Sequence, residues 1–424
     1  MKKIVCFFFF ILWNCFSFGQ NTTEIVIKNI NLITMNDNKV ESNRSVLIKN
    51  NKIYQIDDFA KLRFSKKTAI IDGTGKFLMP ALADMHIHLP AENKIEQALL
   101  LNIAAGVTKV RVMNSELPQL QVRTELNKKS NLISPKLYYS HIIRKENKFT
   151  VKQLDSLMLK IKKDKLSFIK LFSVADEVTF DNIMVAANKH KIIVCGHYPS
   201  KISIDKVLNS GFKSIEHVGG LDSILDPLKL DEAIKLSKKN GTYHCPTLDY
   251  DLMAANLQFP DDYKKRLVFQ VASPKTLNDW EKKYAQSIIE NKGAENIIKI
   301  KNGYLPRFQN KQTILKKLND ADCNLLVGSD PGSYFQMDGF NMHEEMLNWS
   351  KVGIDNFSIL KAATVNAARF FNEESQWGTI SKGKDADLII LDNNPLENIV
   401  NITSIRNTIT NGKIFSKSEI LSKL

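Results

Sequence analysis

From residue 77 to about residue 375 the chain alternates short apolar runs with longer stretches whose apolar positions recur every three or four residues. The short runs have the length of buried strands and the longer stretches have the helical period. The pattern therefore predicts strands alternating with helices around a parallel sheet. Eight runs qualify as strands: Leu82–His88, Val107–Met113, Lys136–Ser140, Ser167–Phe172, Ile192–His197, Ser214–His217, Thr242–Pro246 and Asn324–Asp330. Eight strands with helices between them is the count of an α/β fold of the (β/α)8, or TIM barrel, type. The roughly 75 residues between Thr247 and Cys323 are too many for one crossover. Charged and helical in pattern from Trp280 to Gly303, they predict an elaboration near the working end of the barrel.

The two ends of the chain have a different pattern. Ile25-Val26-Ile27 and Ser45-Val46-Leu47-Ile48 are short strand-like runs separated by Asn/Lys turns. Asp387-Leu388-Ile389-Ile390-Leu391 is a buried strand, and Asn411-Gly412 is a hairpin turn signal. Residues 20–76 and 376–424 thus predict a small β-sandwich domain built from both chain ends, flanking a barrel of residues 77–375. Before them comes a basic start, Met1-Lys2-Lys3, an apolar run from Ile4 to Phe18, and then the small residues of Ser17-Phe18-Gly19. That run, ~15 residues, is short of the ~20 that span a bilayer. Residues 1–19 are therefore expected to be a signal peptide cleaved before Gln20, with export to a periplasmic or extracellular compartment.

Charge changes this picture little. The net charge is +14, but most of the basic residues are lysines spread over helical faces such as Lys160 to Lys165, with no interleaved aromatics. This predicts a solvated surface, with no nucleic-acid partner and no membrane partner once the signal is removed. Beyond the signal, Cys195, Cys245 and Cys323 make an odd count and lie in or beside strands, which predicts core thiols and no disulfide framework. No Gly-rich loop follows a strand and there is no Gly-x-Ser-x-Gly elbow, so phosphate cradling and Ser/His/Asp catalysis have no support.

The chemistry lies at the ends of the predicted barrel strands, where the working residues of such barrels stand. His86 and His88 are two apart, so a strand directs both to one side. Alone the pair is weak, because most histidines in apolar surroundings are core residues. Lys170 sits inside the apolar run Phe168-Ile169-Lys170-Leu171-Phe172, and a buried ammonium is costly unless paired or neutralised. Carbamylation by CO2 would turn it into a carboxylate able to bridge two metals; a buried acidic partner or a snorkelling head group is the alternative. Gly196-His197, Ile215-Glu216-His217 and Gly328-Ser329-Asp330 end three further strands. An ordered set of six candidate ligands, His86, His88, Lys170, His197, His217 and Asp330, on five of the eight strands predicts a metal site.

At this point the chain resembles the amidohydrolase superfamily. The resemblance runs through Met79-Pro80, Asp84-Met85-His86-Ile87-His88 and Gly106-Val107-Thr108-Lys109-Val110-Arg111, and then through the strand ends just named with Pro246-Thr247-Leu248. It continues in Ala362-Ala363-Thr364-Val365-Asn366-Ala367-Ala368, Gly378-Thr379-Ile380 and Gly383-Lys384-Asp385-Ala386-Asp387-Leu388. It is most similar to the imidazolonepropionase-like branch, which includes prolidase-type dipeptidases. The resemblance implies a metal on His86, His88 and Asp330, and a second on His197 and His217. It implies carboxylated Lys170 between two Zn2+, a bridging hydroxide as nucleophile, and Asp330 as general base and then acid. The chain departs from the family where Pro80-Ala81-Leu82-Ala83-Asp84 replaces Pro-Gly-Leu-Ile-Asp, and where Val110-Arg111-Val112 replaces Val-Arg-Asp.

The expectation is an exported two-zinc amidohydrolase that cleaves a C–N bond in a dipeptide or a small cyclic or N-acyl amide. A mononuclear deaminase or imidazolone-type ring hydrolase is the alternative, and a non-catalytic binding protein on the same fold is a second. Of the remaining histidines, His244 and His141 are candidates for substrate contact near the rim, His343 for a supporting role at a helix start, and His190 for the surface. Substrate identity and homo-oligomer formation are left open.

Overall fold

A computed structural model describes residues 24–114, 132–147, 149–258, 262–332 and 335–423; the expected signal peptide, residues 1–19, lies outside them. Among the described residues the first strands are β1 (Glu24–Leu32), β2 (Glu41–Lys49), β3 (Lys52–Asp57), β4 (Ala69–Asp72) and β5 (Phe77–Pro80). The middle of the chain supplies β6 (Leu82–Ile87), β7 (Val107–Val112), β8 (Lys136–Ile143) and β9 (Phe168–Leu171). It continues with β10 (Ile193–Gly196), β11 (Ser214–Glu216), β12 (Tyr243–Cys245) and β13 (Asn324–Leu325). The far end supplies β14 (Leu388–Leu391), β15 (Ile405–Thr410) and β16 (Lys413–Ser416).

Strands β6 to β13 form a parallel sheet in chain order, with helices described in every connection except that between β7 and β8, most of which lies outside the described residues. The sheet curls until its ends meet. Past β13 the chain runs beside β6, where Val327 O accepts from Met85 N at 2.9 Å and His86 O accepts from Asp330 N at 2.7 Å. Side chains alternate across each strand. On β9, Ile169 and Leu171 pack in the layer between sheet and helices, while Phe168 turns to the interior. The interior also holds Met85, Tyr138, Cys195, Tyr243, Cys245 and Leu326. By the same alternation Lys170, Arg111 and Glu216 are inward positions, which is why three charged residues of otherwise apolar strands are buried together.

Several expected strands end short of their predicted bounds, β13 by the most. His217 and Val218 take left-handed backbones (φ 62° and 59°), so β11 stops at Glu216; β13 is assigned only over Asn324–Leu325, and Asp330 beyond it is left-handed too (φ 44°). Each turn lifts a side chain out of the sheet at its rim. Left-handed conformations cost L-residues roughly 1–2 kcal/mol each, and such strain gathers at functional sites.

The two chain ends share one sheet in the order β16-β15-β14-β5-β1-β2-β3, with β4 beside β1. The Asn411-Gly412 turn joins β15 to β16 with both residues left-handed (φ 51° and 69°), as a two-residue hairpin of this kind needs. Ile27, Ile30, Leu32, Val46, Leu78 and Ile390 build its core. It meets the barrel at Asp387, whose carbonyl accepts from Ala81 N at 2.9 Å and whose carboxylate pairs with Lys109 Nζ from β7.

The long segment after β12 is helical, as its pattern predicts: Leu248–Ala254, Pro274–Glu290 and Ala294–Asp320. Its aromatic residues enclose Phe335, which follows Asp330 in the chain. The Phe335 ring stacks on Tyr263 at 4.1 Å and meets Tyr284 and Trp280 edge-on at 5.1 and 6.0 Å.

Candidate metal centre

His86 lies within a bulge near the end of β6, where Asp84 pairs with Val110 but Ile87 with Val112. Asp84 pins this turn. Its Oδ1 accepts from His86 N at 3.1 Å and from Ser329 N at 3.0 Å, and its Oδ2 accepts from Ser329 Oγ. Burial pushes the Asp84 carboxyl up to about 7. The first and last barrel strands are thereby fastened together beside their two ligand candidates. Gly328 allows the approach: a Cβ there would stand 2.5 Å from Cys245 Sγ and 2.7 Å from His86 Cβ.

The six side chains named from the sequence converge. His88 Nε2 lies 3.1 Å and His86 Nε2 3.6 Å from Asp330 Oδ1; His217 Nδ1 lies 3.8 Å from Asp330 Oδ2. The His86 ring centre is 5.4 Å from that of His88 and 5.0 Å from that of His217, which is 5.1 Å from that of His197. His86, His217 and Asp330 each offer a donor atom within 4.8 Å of the others. Lys170 is buried among them, and its charge bears on His86, His197 and His217 alike. His197 follows Gly196, where φ is 139° and a Cβ would fall 2.3 Å from Leu171 O, so only glycine fits there.

The hydrogen-bond partners assign the tautomers. His197 Nδ1 faces the Phe172 carbonyl at 3.1 Å, which can only accept, so Nδ1 carries the proton. His86 Nδ1 donates to Glu216 Oε2 at 2.8 Å. Thr247 Oγ1 has the Pro246 carbonyl as acceptor at 2.8 Å and accepts in turn from His217 Nδ1 at 2.7 Å. Each ring therefore keeps its lone pair on Nε2, as a metal-binding imidazole does.

Electrostatics agree. Burial holds the His86 and His217 imidazoles well below the usual range; burial and then the Lys170 charge push His197 down to about 4. Burial opposes ionisation of Asp330, but the facing His86 and His88 rings outweigh it and hold that carboxyl low. Burial also lowers Lys170, against the pull of Glu216. Two buried nitrogens here, His86 Nε2 and Lys170 Nζ, have no hydrogen-bond partner. Orphaned polar atoms are costly in a folded interior, and a cation at the His86 lone pair and a carboxylated form of Lys170 would satisfy both. Imidazole nitrogens with carboxylate oxygens are a donor set suited to zinc and its transition-metal neighbours.

Two residues expected to contact substrate, His244 and His141, face away from this centre. The neighbours of His244, Tyr243 and Cys245, face the barrel interior, so His244 points outward. There its Nε2 is 2.6 Å from Ser237 Oγ on the helix Pro227–Asn240. His141 alternates with inward Tyr138 and lies under the helix Val151–Lys163, in the field of Lys160 and Asp164. Both are fillers between sheet and helices. His343 is buried with Nε2 2.9 Å from the Ala105 carbonyl, and His190 meets Asp155 at 2.8 Å near the surface.

Sequence reasoning missed Glu216, Arg111, Asp84 and Thr247 as parts of this centre. The signal was present for two of them: Arg111 and Glu216 are opposite charges at inward positions of apolar strands. They pair through Arg111 Nη2 at 2.8 Å to each carboxylate oxygen.

The amidohydrolase family profile matches residues 77–415. Over 447 aligned residues the chain is 23% identical to the 5-methylthioadenosine/S-adenosylhomocysteine deaminase of Caldanaerobacter subterraneus subsp. tengcongensis, covering 94% of each. It is 34% identical over 73 residues to an adenine deaminase of Staphylothermus marinus, a match that spans only 12% of that enzyme's length. Among solved structures, a Xaa-Pro dipeptidase with methionine in its active site superposes with a TM-score of 0.68 at 19% identity, over 93% of this chain and 100% of that one. Bottromycin amidohydrolase superposes with a TM-score of 0.70 at 17% identity, over 94% and 90%.

Proposed function

The chain belongs to the amidohydrolase family, a family of hydrolases acting on C–N bonds, and we propose that it works through two zinc ions and cleaves the amide bond of a dipeptide or a small cyclic or N-acyl amide. The observation that carries this reading is Lys170. A lone deaminase-type metal needs no lysine in the barrel interior, whereas Lys170 is buried, has no hydrogen-bond partner and lies close enough to His86, His197, His217 and Asp330 for its charge to act on them. Burial favours the neutral amine, the form that adds CO2. In this reading His86, His88 and Asp330 would hold one ion, His197 and His217 the other, and a carboxylated Lys170 would supply carboxylate oxygens to the pair. Zinc, when bound, lowers the pKa of water to about 7 and polarises a carbonyl.

The remaining work falls to side chains. Asp330, held ionised and 3.1 Å from His88, takes the proton of the attacking water and returns it to the leaving amine. Phe172 beside His197 and Tyr250 beside His217, with ring centres at 4.7 and 6.2 Å, are partly exposed aromatics at the rim. They give a substrate apolar surface next to the centre.

The same reading takes residues 1–19 as a signal peptide that sends the enzyme out of the cytoplasm. It takes residues 20–76 and 376–424 as a small β-sandwich domain beside a barrel of residues 77–375. A second reading, a mononuclear deaminase, is favoured by one observation: the relatives matched in sequence are deaminases.

The deciding experiment loads the mature chain with zinc and bicarbonate and screens dipeptides and N-acyl amino acids beside purine nucleosides and bases. Amine release from the amides with two metals per chain supports the proposal. Ammonia release from purines with one metal supports the second reading.

A further inference from the structure

We propose that Glu216 is a positioning residue of this centre: its carboxylate fixes His86 as the Nδ1–H tautomer, and Arg111 fixes the carboxylate. Glu216 ends β11, one residue before His217, and is fully buried. Every direction around it is engaged. Oε1 accepts from Ser214 Oγ at 2.6 Å, Oε2 from His86 Nδ1 at 2.8 Å, and both from Arg111 Nη2 at 2.8 Å.

Arg111 has no freedom either. Its Nη1 donates to Ser214 Oγ at 2.8 Å and its Nε to the Met85 carbonyl, and its guanidinium lies 4.8 Å from the Phe370 ring centre. Met85 is the residue before His86, so the same guanidinium holds the His86 backbone and the acceptor of its ring. A carboxylate that cannot rotate is an acceptor that cannot leave.

The constraint has a specific competitor. His86 Nε2 is 3.6 Å from Asp330 Oδ1. Were the ring proton on Nε2, it would donate to Asp330, and two donor atoms would be lost to a metal in one hydrogen bond. The Glu216 acceptor at Nδ1 disfavours that state before any ion arrives. A neutral acceptor, or none, leaves the two tautomers in balance.

A purely architectural Arg–Glu pair, tying the second barrel strand to the sixth, would leave the tautomer unchanged when it is replaced by apolar residues. The test is long-range 1H–15N correlation on zinc-free protein labelled at histidine, with zinc affinity measured separately by chelator competition. Glu216→Gln keeps an oxygen but loses the charge. The pair Arg111→Met with Glu216→Met removes both charges at similar volume, a change that buried ion pairs often tolerate.

Wild-type His86 should be Nδ1–H alone. The Met pair should show Nε2–H or a mixture. Zinc affinity should fall roughly 10-fold in Glu216→Gln and roughly 100-fold in the Met pair, the scale of a lost ligand-orienting bond. A wild-type His86 protonated on Nε2 overturns the proposal, as does a folded Met pair that keeps the Nδ1–H form. If the Met pair does not fold, Glu216→Gln decides, and unchanged zinc affinity there overturns it. Only the zinc arm rests on the proposed function: a wild type that binds no zinc sinks that function, while the tautomer still tests Glu216.

Discussion

Thr247 holds a left-handed backbone (φ 50°) and its hydroxyl stands 2.7 Å from Nδ1 of His217. A β-branched residue seldom adopts this conformation, and Glu345 maintains it. That buried carboxylate accepts from Leu248 N at 3.0 Å and Asp249 N at 2.7 Å, capping the helix that follows, and also from Trp349 Nε1 at 2.8 Å. The strain puts one hydroxyl where it selects the lone pair of one imidazole.

Thr247→Gly removes both the strain and the hydroxyl. Relief of an unfavourable backbone, of order 1–3 kcal/mol, offsets a lost hydrogen bond of about 1 kcal/mol. Thermal unfolding should therefore show a variant at least as stable as wild type, while turnover falls roughly 10-fold through a misoriented His217. A less stable variant of full activity would contradict this account of the turn.

The barrel, its eight strands and the gathering of His86, His88, Lys170, His197, His217 and Asp330 were legible because each leaves a local mark. Period and run length mark the strands, and a polar residue at the end of an apolar run marks a ligand candidate. His244 and His141 carry the same mark but lie on the other face of their strands. Which face of a strand a residue takes depends on where its neighbours point, and Tyr243 with Cys245 claim the interior. Thr247 and Asp84 fall within the motifs that carry the resemblance, but their roles come from a left-handed turn and a bulge that no local pattern shows. Arg111 and Glu216 were visible as charges, but their pairing joins residues 105 positions apart and exists only once the sheet curls.

Asp330→Asn keeps the size of the side chain and an oxygen toward His88 but cannot accept a proton. Zinc content should be largely retained while turnover falls by roughly 10²-fold or more. Elemental analysis beside steady-state kinetics checks this. Loss of metal in step with activity would give Asp330 a holding role only.

Asp387 joins the end-built sheet to the barrel through Lys109, whose side chain is only 4% exposed and lies 4.6 Å from the Trp377 ring centre. Thr410 Oγ1 donates to the same carboxylate at 2.6 Å. Asp387→Ala leaves a buried ammonium unpaired and should cost about 3 kcal/mol in denaturant unfolding, the low end for a broken buried pair. The variant's folded fraction should still bind zinc as wild type does.

Glu24 gives a pH dependence that is independent of the centre. Its carboxylate accepts from Ser65 N at 2.9 Å and Thr68 Oγ1 at 2.7 Å and pairs with Lys49 at 2.9 Å. The Ser65 bond first, then Lys49, hold it down to about 2, from 4.5. A depressed folded-state pKa gives stability that is present in full above the unfolded value and lost as pH falls through the folded one. Glu24→Gln should therefore unfold at a lower temperature than wild type at pH 7, and the gap should narrow from about pH 5 downward, in the window those two values set. A gap that is constant with pH would rule out this ion pair as its source.

The most direct test of the two-metal account is zinc stoichiometry in Lys170→Ala. After reconstitution with zinc and bicarbonate, elemental analysis should find close to two ions per wild-type chain and far fewer in the variant, whose hydrolysis of an identified amide should vanish. Short carboxylic acids, filling the gap left by the side chain, should restore part of both. A variant that keeps two ions and near-normal turnover would contradict the account, and so would a wild-type chain that holds one ion or none.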